Sequence, residues 1–116
     1  MSKNYPEIRA DLIKNIGKVR KNLPELMSAS GSLSTEAYSD GAIDGKTKEL
    51  MALAIGVAIR CDGCIAFHAR GALLKGATRE EIAETIGVAI QMGGGPSVVY
   101  GSEALMAYDQ FTEKQA

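Results

Sequence analysis

Glu49–His68 reads ELMALAIGVAIRCDGCIAFH and holds both cysteines and the only histidine of a 116-residue chain. Ten apolar or small residues, Leu50 to Ile59, run without a charge into Arg60 and the Cys61-Asp62-Gly63-Cys64 motif. A helix with no polar face must be covered on nearly all sides, so the run predicts a buried helix. The Asp-Gly pair predicts a tight turn, because Asp caps helix N-termini and Gly tolerates the angles of a bend. A second helix then opens around Cys64, with Ile65, Ala66, Phe67 and His68 in its first turns. On that reading Cys64 and His68 are four residues apart on one helical face, and thiol and imidazole are within reach of each other.

A thiol is nucleophilic only as thiolate, and its free pKa of roughly 8.5 falls at a helix N-terminus or beside a protonated imidazole. Both influences act on Cys64. Cys61, three residues earlier, can close a disulfide with it where the turn permits the geometry. The stretch therefore supplies a nucleophile, a proton acceptor and a resolving thiol. Glu49 is a candidate third member that orients the imidazole. In a simple antiparallel hairpin, however, it lies about five residues further from the turn than His68. At ~1.5 Å per residue the offset is roughly 7 Å, which calls for a crossing angle, a water or a neighbouring subunit.

Glu49, eleven residues, Cys61, two residues, Cys64, three residues, His68 resembles the active-site signature of the AhpD-like proteins of the carboxymuconolactone decarboxylase superfamily. The likeness extends through LPELM at 23 to 27, the Asp44 to Leu50 lead-in and MGGGP at 92 to 96, roughly residues 20 to 110. The resemblance implies an all-helical homo-oligomer, often a trimer or hexamer, that performs thiol-disulfide chemistry and in some members reduces alkyl hydroperoxides. It also implies that Glu49 and His68 relay protons to Cys64 and that Cys61 forms the disulfide with it. The peroxidase-type members carry a histidine between the cysteines where this chain has Gly63. A relay weakened in this way bears on peroxidase strength more than on dithiol chemistry.

Composition sets the outer limits. A chain of this length builds one domain, here taken as 1–116, around its own core. Thirteen Lys and Arg against fourteen Asp and Glu leave a formal charge of -1, which gives nucleic acid or an anionic membrane no footing. No apolar run approaches the ~20 residues that cross a bilayer, and MSKNYPEIRA lacks the apolar segment of a secretory signal, so a cytoplasmic setting is expected. In that compartment a CxxC pair points to catalysis or metal rather than to a structural staple.

The remaining chain reads as an all-α bundle of five to six helices. Pro6 suits a first turn, and Ile8, Leu12, Ile16, Val19 and Leu23 form one helical stripe. A second helix restarts at Pro24, while the Ser-, Gly- and Asp-rich segment Ser28 to Gly45 predicts a short helix, Ser34 to Ser39, between loops. Asp44 caps the helix carrying Glu49. The Cys64 helix runs to Lys75 and stops at Gly76. Thr78-Arg79-Glu80-Glu81 is a capping box for a helix to about Gln91, with Ile82, Ile86, Ala89 and Ile90 inside. The last helix spans about Pro96 to Phe111, and Thr112 to Ala116 is expected to fray. With no Trp and two Phe to cover the apolar run, a subunit interface is expected to complete its burial.

Rival readings remain at this level. Cys61, Cys64, His68 and Glu49 could form a four-ligand zinc set, although there is no second Cys or His pair. The glycines at 93 to 95 precede a helix N-terminus and could face an anion, but without a following Lys close packing is the better reading. Tyr100 is a candidate pocket residue. A lyase acting on a small lactone and a non-catalytic helical oligomer or metal-binding module are the alternatives. The resemblance argues against the lyase, because the lactone-acting members lack the cysteine pair. The favoured reading is a thiol-disulfide oxidoreductase of hydroperoxides or disulfides. It uses Cys61, Cys64, His68 and Glu49, needs no cofactor or metal, and is reset by an external dithiol.

Overall fold

The computed structural model describes residues 3–115, which form six helices and no strand: α1 (Tyr5–Asn22), α2 (Pro24–Ala37), α3 (Gly45–Ala58), α4 (Asp62–Leu74), α5 (Arg79–Gly93) and α6 (Gly95–Gln115). Asp44 accepts the Thr47 N–H at 2.8 Å and starts α3, as its place before the apolar run predicts. At the other end of α3 the chain reverses within one residue. Arg60, at φ 60°, is the non-glycine residue with positive φ among those described. Its N–H and that of Cys61 donate back to the Val57 and Gly56 carbonyls at 3.2 and 3.0 Å, which closes the helix end around a left-handed residue.

Cys61 then serves at once as the N-cap of α4, its sulfur accepting the Cys64 N–H at 3.1 Å. The turn thus lies before the Asp-Gly pair, not in it. Asp62 and Gly63 are already the first two helical residues. Asp62 caps nothing and instead accepts from the Lys3 ammonium at 3.0 Å and the Tyr5 hydroxyl at 3.3 Å. A Cβ on Gly63 would lie 2.7 Å from Leu12 Cδ1. Gly63 leaves room for the Leu12 side chain of α1 rather than making a bend.

The core gathers around α4. Ile65, Ala66, Ala69 and Ala72 are buried on it against Leu53 and Val57 of α3 and Ala104, Ala107, Tyr108 and Phe111 of α6, and these two helices in turn cover Ile82, Ile86 and Ala89 of α5. Complete burial of Leu53, Ile65 and Ile82 contributes about 1.5–3 kcal/mol each. Tyr5 of α1 is also fully buried, and its hydroxyl donates to Glu103 at 2.7 Å. The Lys3 and Tyr5 contacts to Asp62 and Glu103 fasten the start of α1 to the start of α4 and to α6.

The predicted boundaries hold where a cap defines them. Gly76, at φ 89°, ends α4, and the Thr78–Glu81 box closes in both directions at 3.1 and 2.9 Å. They fail where composition alone was used. Ser28 to Ala37 is no loop with a short helix inside it, since α2 runs unbroken from Pro24. Serine costs little in a helix once the helix is nucleated, and no proline interrupts the segment. The C-terminal fray is likewise absent from the described residues: α6 continues to Gln115, with the Thr112 hydroxyl bonded to the Tyr108 carbonyl at 2.8 Å, while Ala116 lies outside them.

Two apolar expectations change in a single chain. The α1 stripe starts against the core at Ile8, but it ends in solvent, with Val19 and Leu23 close to half exposed, because α1 outruns the core it crosses. The charge-free run of α3 buries Leu53, Gly56 and Val57 on one side only. Met51, Ile55 and Ile59 form an open strip on the other, Ile55 and Ile59 being about 60% exposed. α2 packs only on α1 and buries none of its own residues. Among the described residues no helix is long and apolar enough to cross a membrane.

Candidate active site

The tight reversal between α3 and α4 sets Cys61 and Cys64 at the head of α4, and their sulfurs are joined as a disulfide. Both line a cavity of about 700 Å³ walled by α1, α3, α4 and the C-terminal end of α2. His68 lies one turn further along the same wall. Its Nδ1 is 2.7 Å from Glu49 Oε1, with the imidazole and carboxylate side chains only 22% and 13% exposed.

The four site residues singled out in the sequence thus surround one cavity, and Glu49 reaches His68 directly within one chain. Of the three ways to bridge the expected offset, a crossing of the helices, a water or a neighbouring subunit, the direct contact needs neither water nor subunit, and glycines stand where the helices meet. Gly71 lies on α4 beside the Glu49 carboxylate, where a Cβ would come 2.5 Å from Oε1. Gly56 on α3 faces Cys64, whose Cβ lies 3.0 Å from the position a side chain would take. The missing side chain at Gly56 lets α3 pass close to the Cys64 backbone, and the one at Gly71 leaves the Glu49 carboxylate its place against α4. Glu49 lies opposite Gly71, and from there its carboxylate reaches His68, three residues nearer the turn.

An ionised carboxylate only accepts, so the pairing with Glu49 assigns the proton to Nδ1 and leaves Nε2 facing the cavity. Nε2 faces the Tyr38 hydroxyl at 3.5 Å, and the two rings are tilted at 35° with centroids 5.3 Å apart. Burial, and then the Glu49 charge, raise the Tyr38 pKa above its ordinary value, so the group remains a phenol and a donor.

Nothing in the sequence pattern singles out Tyr38. It follows a Ser- and Gly-rich segment and belongs to no spaced motif, and only the unbroken α2 brings it over His68. Tyr100, named in the sequence only as a candidate pocket residue, lies outside this cavity, with the Lys3 ammonium 5.1 Å above its ring. Gly93 packs directly on Ser97, as the close-packing reading of the glycine run requires. Among the described residues, no three His, Cys, Asp or Glu side chains are gathered in a metal-binding arrangement.

The profile of the carboxymuconolactone decarboxylase family matches residues 24–107. The chain belongs to that family. A family member from Legionella pneumophila, solved in its apo form, is 48% identical and superposes with a TM-score of 0.92 over 96% of this chain and 99% of its own. A second from Thermotoga maritima is 28% identical with a TM-score of 0.73, over 97% of this chain and 93% of its own. Among curated sequences, an uncharacterised protein of Cupriavidus necator is 38% identical over 85% of this chain and 88% of its own. One of Haemophilus influenzae is 35% identical over 93% and 96%.

Within this family fold, the Glu49–His68 contact depends on position 71 having no side chain. Gly71→Ala is expected to cost about 1–3 kcal/mol in chemical denaturation, the range for overpacking a tight contact. The same change in a Glu49→Ala background is expected to cost much less, because the clashing carboxylate is gone. Equal costs in the two backgrounds would show that Gly71 does not govern this contact.

Proposed function

We propose that the protein is a dithiol oxidoreductase that reduces organic hydroperoxides, with the bonded Cys61–Cys64 pair as the oxidised end of its cycle. The observation that carries this reading is a cysteine pair sharing one cavity with a histidine whose far nitrogen is held by a carboxylate. In the reduced protein, His68 Nε2 takes the proton of Cys64, with Glu49 holding Nδ1–H. The Cys64 thiolate attacks the terminal oxygen of R–O–O–H and the O–O bond breaks. The departing alkoxide takes the proton from His68 and leaves as ROH, and Cys64 becomes a sulfenic acid. Cys61 attacks that sulfur, water leaves and the disulfide forms. An external dithiol then returns two electrons and two protons by exchange through a mixed disulfide.

Family membership supports this reading, and so does the Thermotoga maritima relative, a candidate for involvement in antioxidative response. Gly63 stands where a second imidazole would add to the relay, so His68 carries the proton transfer alone. Cys61→Ser is expected to halt the cycle at Cys64 and leave a sulfenic acid that dimedone traps after one equivalent of an alkyl hydroperoxide. Adding His68→Ala is expected to slow trapping by about 10²–10⁴-fold, the usual worth of a positioned base. Dimedone adduct on Cys61 in a Cys64→Ser protein, with none on Cys64 in Cys61→Ser, would reverse the assignment. Trapping unaffected by His68→Ala would remove the relay.

The same reading includes a homo-oligomer, trimer or hexamer, in which a second copy covers the Met51, Ile55 and Ile59 strip. A charge-free helix face of this kind is costly to leave in water. Sedimentation equilibrium is expected to give a multiple of the chain mass, and Ile55→Glu is expected to lower it. A concentration-independent monomer would contradict this part of the reading.

A further inference from the structure

The cavity in front of the disulfide is much larger than hydrogen peroxide requires. Its volume of about 700 Å³ falls within the range for organic ligands of many atoms. Leu12 and Ile16 of α1 and Phe67 and Leu74 of α4 give it apolar walls, which suit a hydrocarbon chain.

Its charged groups are unevenly compensated. Glu49 and His68 are engaged with each other. Lys75 donates to the Tyr38 carbonyl at 3.3 Å and shares a recess with Asp40 and Asp44. Arg70 is different. It lines this cavity and also an adjoining recess of about 300 Å³ between α1 and the end of α6, where Arg9, Phe111 and Lys114 join it. Among the described residues, every ion pair uses other groups, and none includes Arg9, Arg70 or Lys114.

Arg9 is the more constrained of the two arginines. Its guanidinium lies 5.7 Å from the centroid of the Phe67 ring, and its Nε is shielded from solvent without a hydrogen-bond partner. Burial, and then repulsion from Arg70, lower its pKa from the ordinary value. Two guanidinium groups held near each other, one with a buried unpartnered donor, are unfavourable alone. An anion between the two guanidinium groups would cancel the repulsion and offset the cost of holding Arg9 half-buried. Phe67 belongs to both places: it lines the cavity and lies beneath Arg9.

We propose that this cavity takes an amphiphilic carboxylate, its hydrocarbon chain against Leu12, Ile16, Phe67 and Leu74 and its head group at Arg70 and Arg9. This rests on the hydroperoxide-reductase reading for its consequence, which is that the natural oxidant is a hydroperoxide carrying a carboxylate rather than a neutral one. The binding step does not depend on turnover. The disulfide form accepts the same head group and chain with no redox chemistry.

Calorimetric titration of the full disulfide-form protein with decanoate and with decan-1-ol tests the assignment. Decanoate is expected to bind at least about tenfold tighter, as for a charge-assisted bidentate contact. Arg70→Gln is expected to remove most of that advantage while leaving decan-1-ol affinity within about twofold, so that retained alcohol binding also reports a folded cavity. Arg9→Gln is expected to act in the same direction. Should both variants fold poorly, the salt dependence of the wild-type protein decides, since only decanoate affinity should fall as salt rises. Equal affinity for acid and alcohol, or a decanoate affinity indifferent to salt and to both arginines, would overturn the proposal. Failure of peroxide reduction with these binding results intact would remove the redox reading and leave the carboxylate site standing.

Discussion

The rest of the site depends on how closely α3 and α4 can cross. Side chains keep ordinary helix axes 8–10 Å apart, and a glutamate at position 49 could not lie across its neighbour at that separation without displacing it. Gly56 and Gly71 remove the obstructing atoms on either side of the crossing. The cost is that of glycine within helices, about 1 kcal/mol each relative to alanine. It is accepted at the positions where a carboxylate meets an imidazole and where Cys64 packs. The Glu49–His68 contact at 2.7 Å is the direct consequence, and it fixes which imidazole nitrogen is free.

The same crossing explains why the cysteines lie at a helix end rather than on a loop. The Arg60 turn is so short that Cys61 closes α3 with its N–H and opens α4 with its sulfur. A cap sulfur accepts a backbone N–H at the positive end of the helix, where a thiolate is favoured. Cys64, three residues on, is set on the same cavity wall as His68 by the helical period. Local backbone order thus does part of the electrostatic work before any distant residue contributes.

Much of this was legible in the sequence, for identifiable reasons. Caps have short-range chemistry, so Asp44, Gly76 and the Thr78–Glu81 box were found where they lie. The spacing of Cys61, Cys64 and His68 follows from a fixed helical period, so their shared cavity wall was also readable. Glu49 was suspected mainly from family likeness, and whether it reached His68 by a crossing, a water or a second subunit stayed open, because which residues meet at a helix crossing is not written in a spacing. Tyr38 was missed for a related reason. Its place over His68 is decided by the continuity of α2 through a serine-rich segment, and composition argued against that continuity. The apolar strip of α3 was correctly seen to lack a polar face, but sequence did not say which side the chain itself would leave open.

The central claim is that His68, held by Glu49, controls the ionisation of Cys64. The most direct test follows the rate of iodoacetamide alkylation of Cys64 against pH, with Cys61 replaced by serine, in proteins with and without His68→Ala. The account predicts an inflection well below the roughly 8.5 of a free thiol when His68 is present, moving up toward that value when it is removed. An inflection near the free-thiol value in both proteins would leave an ordinary sulfhydryl and contradict the account.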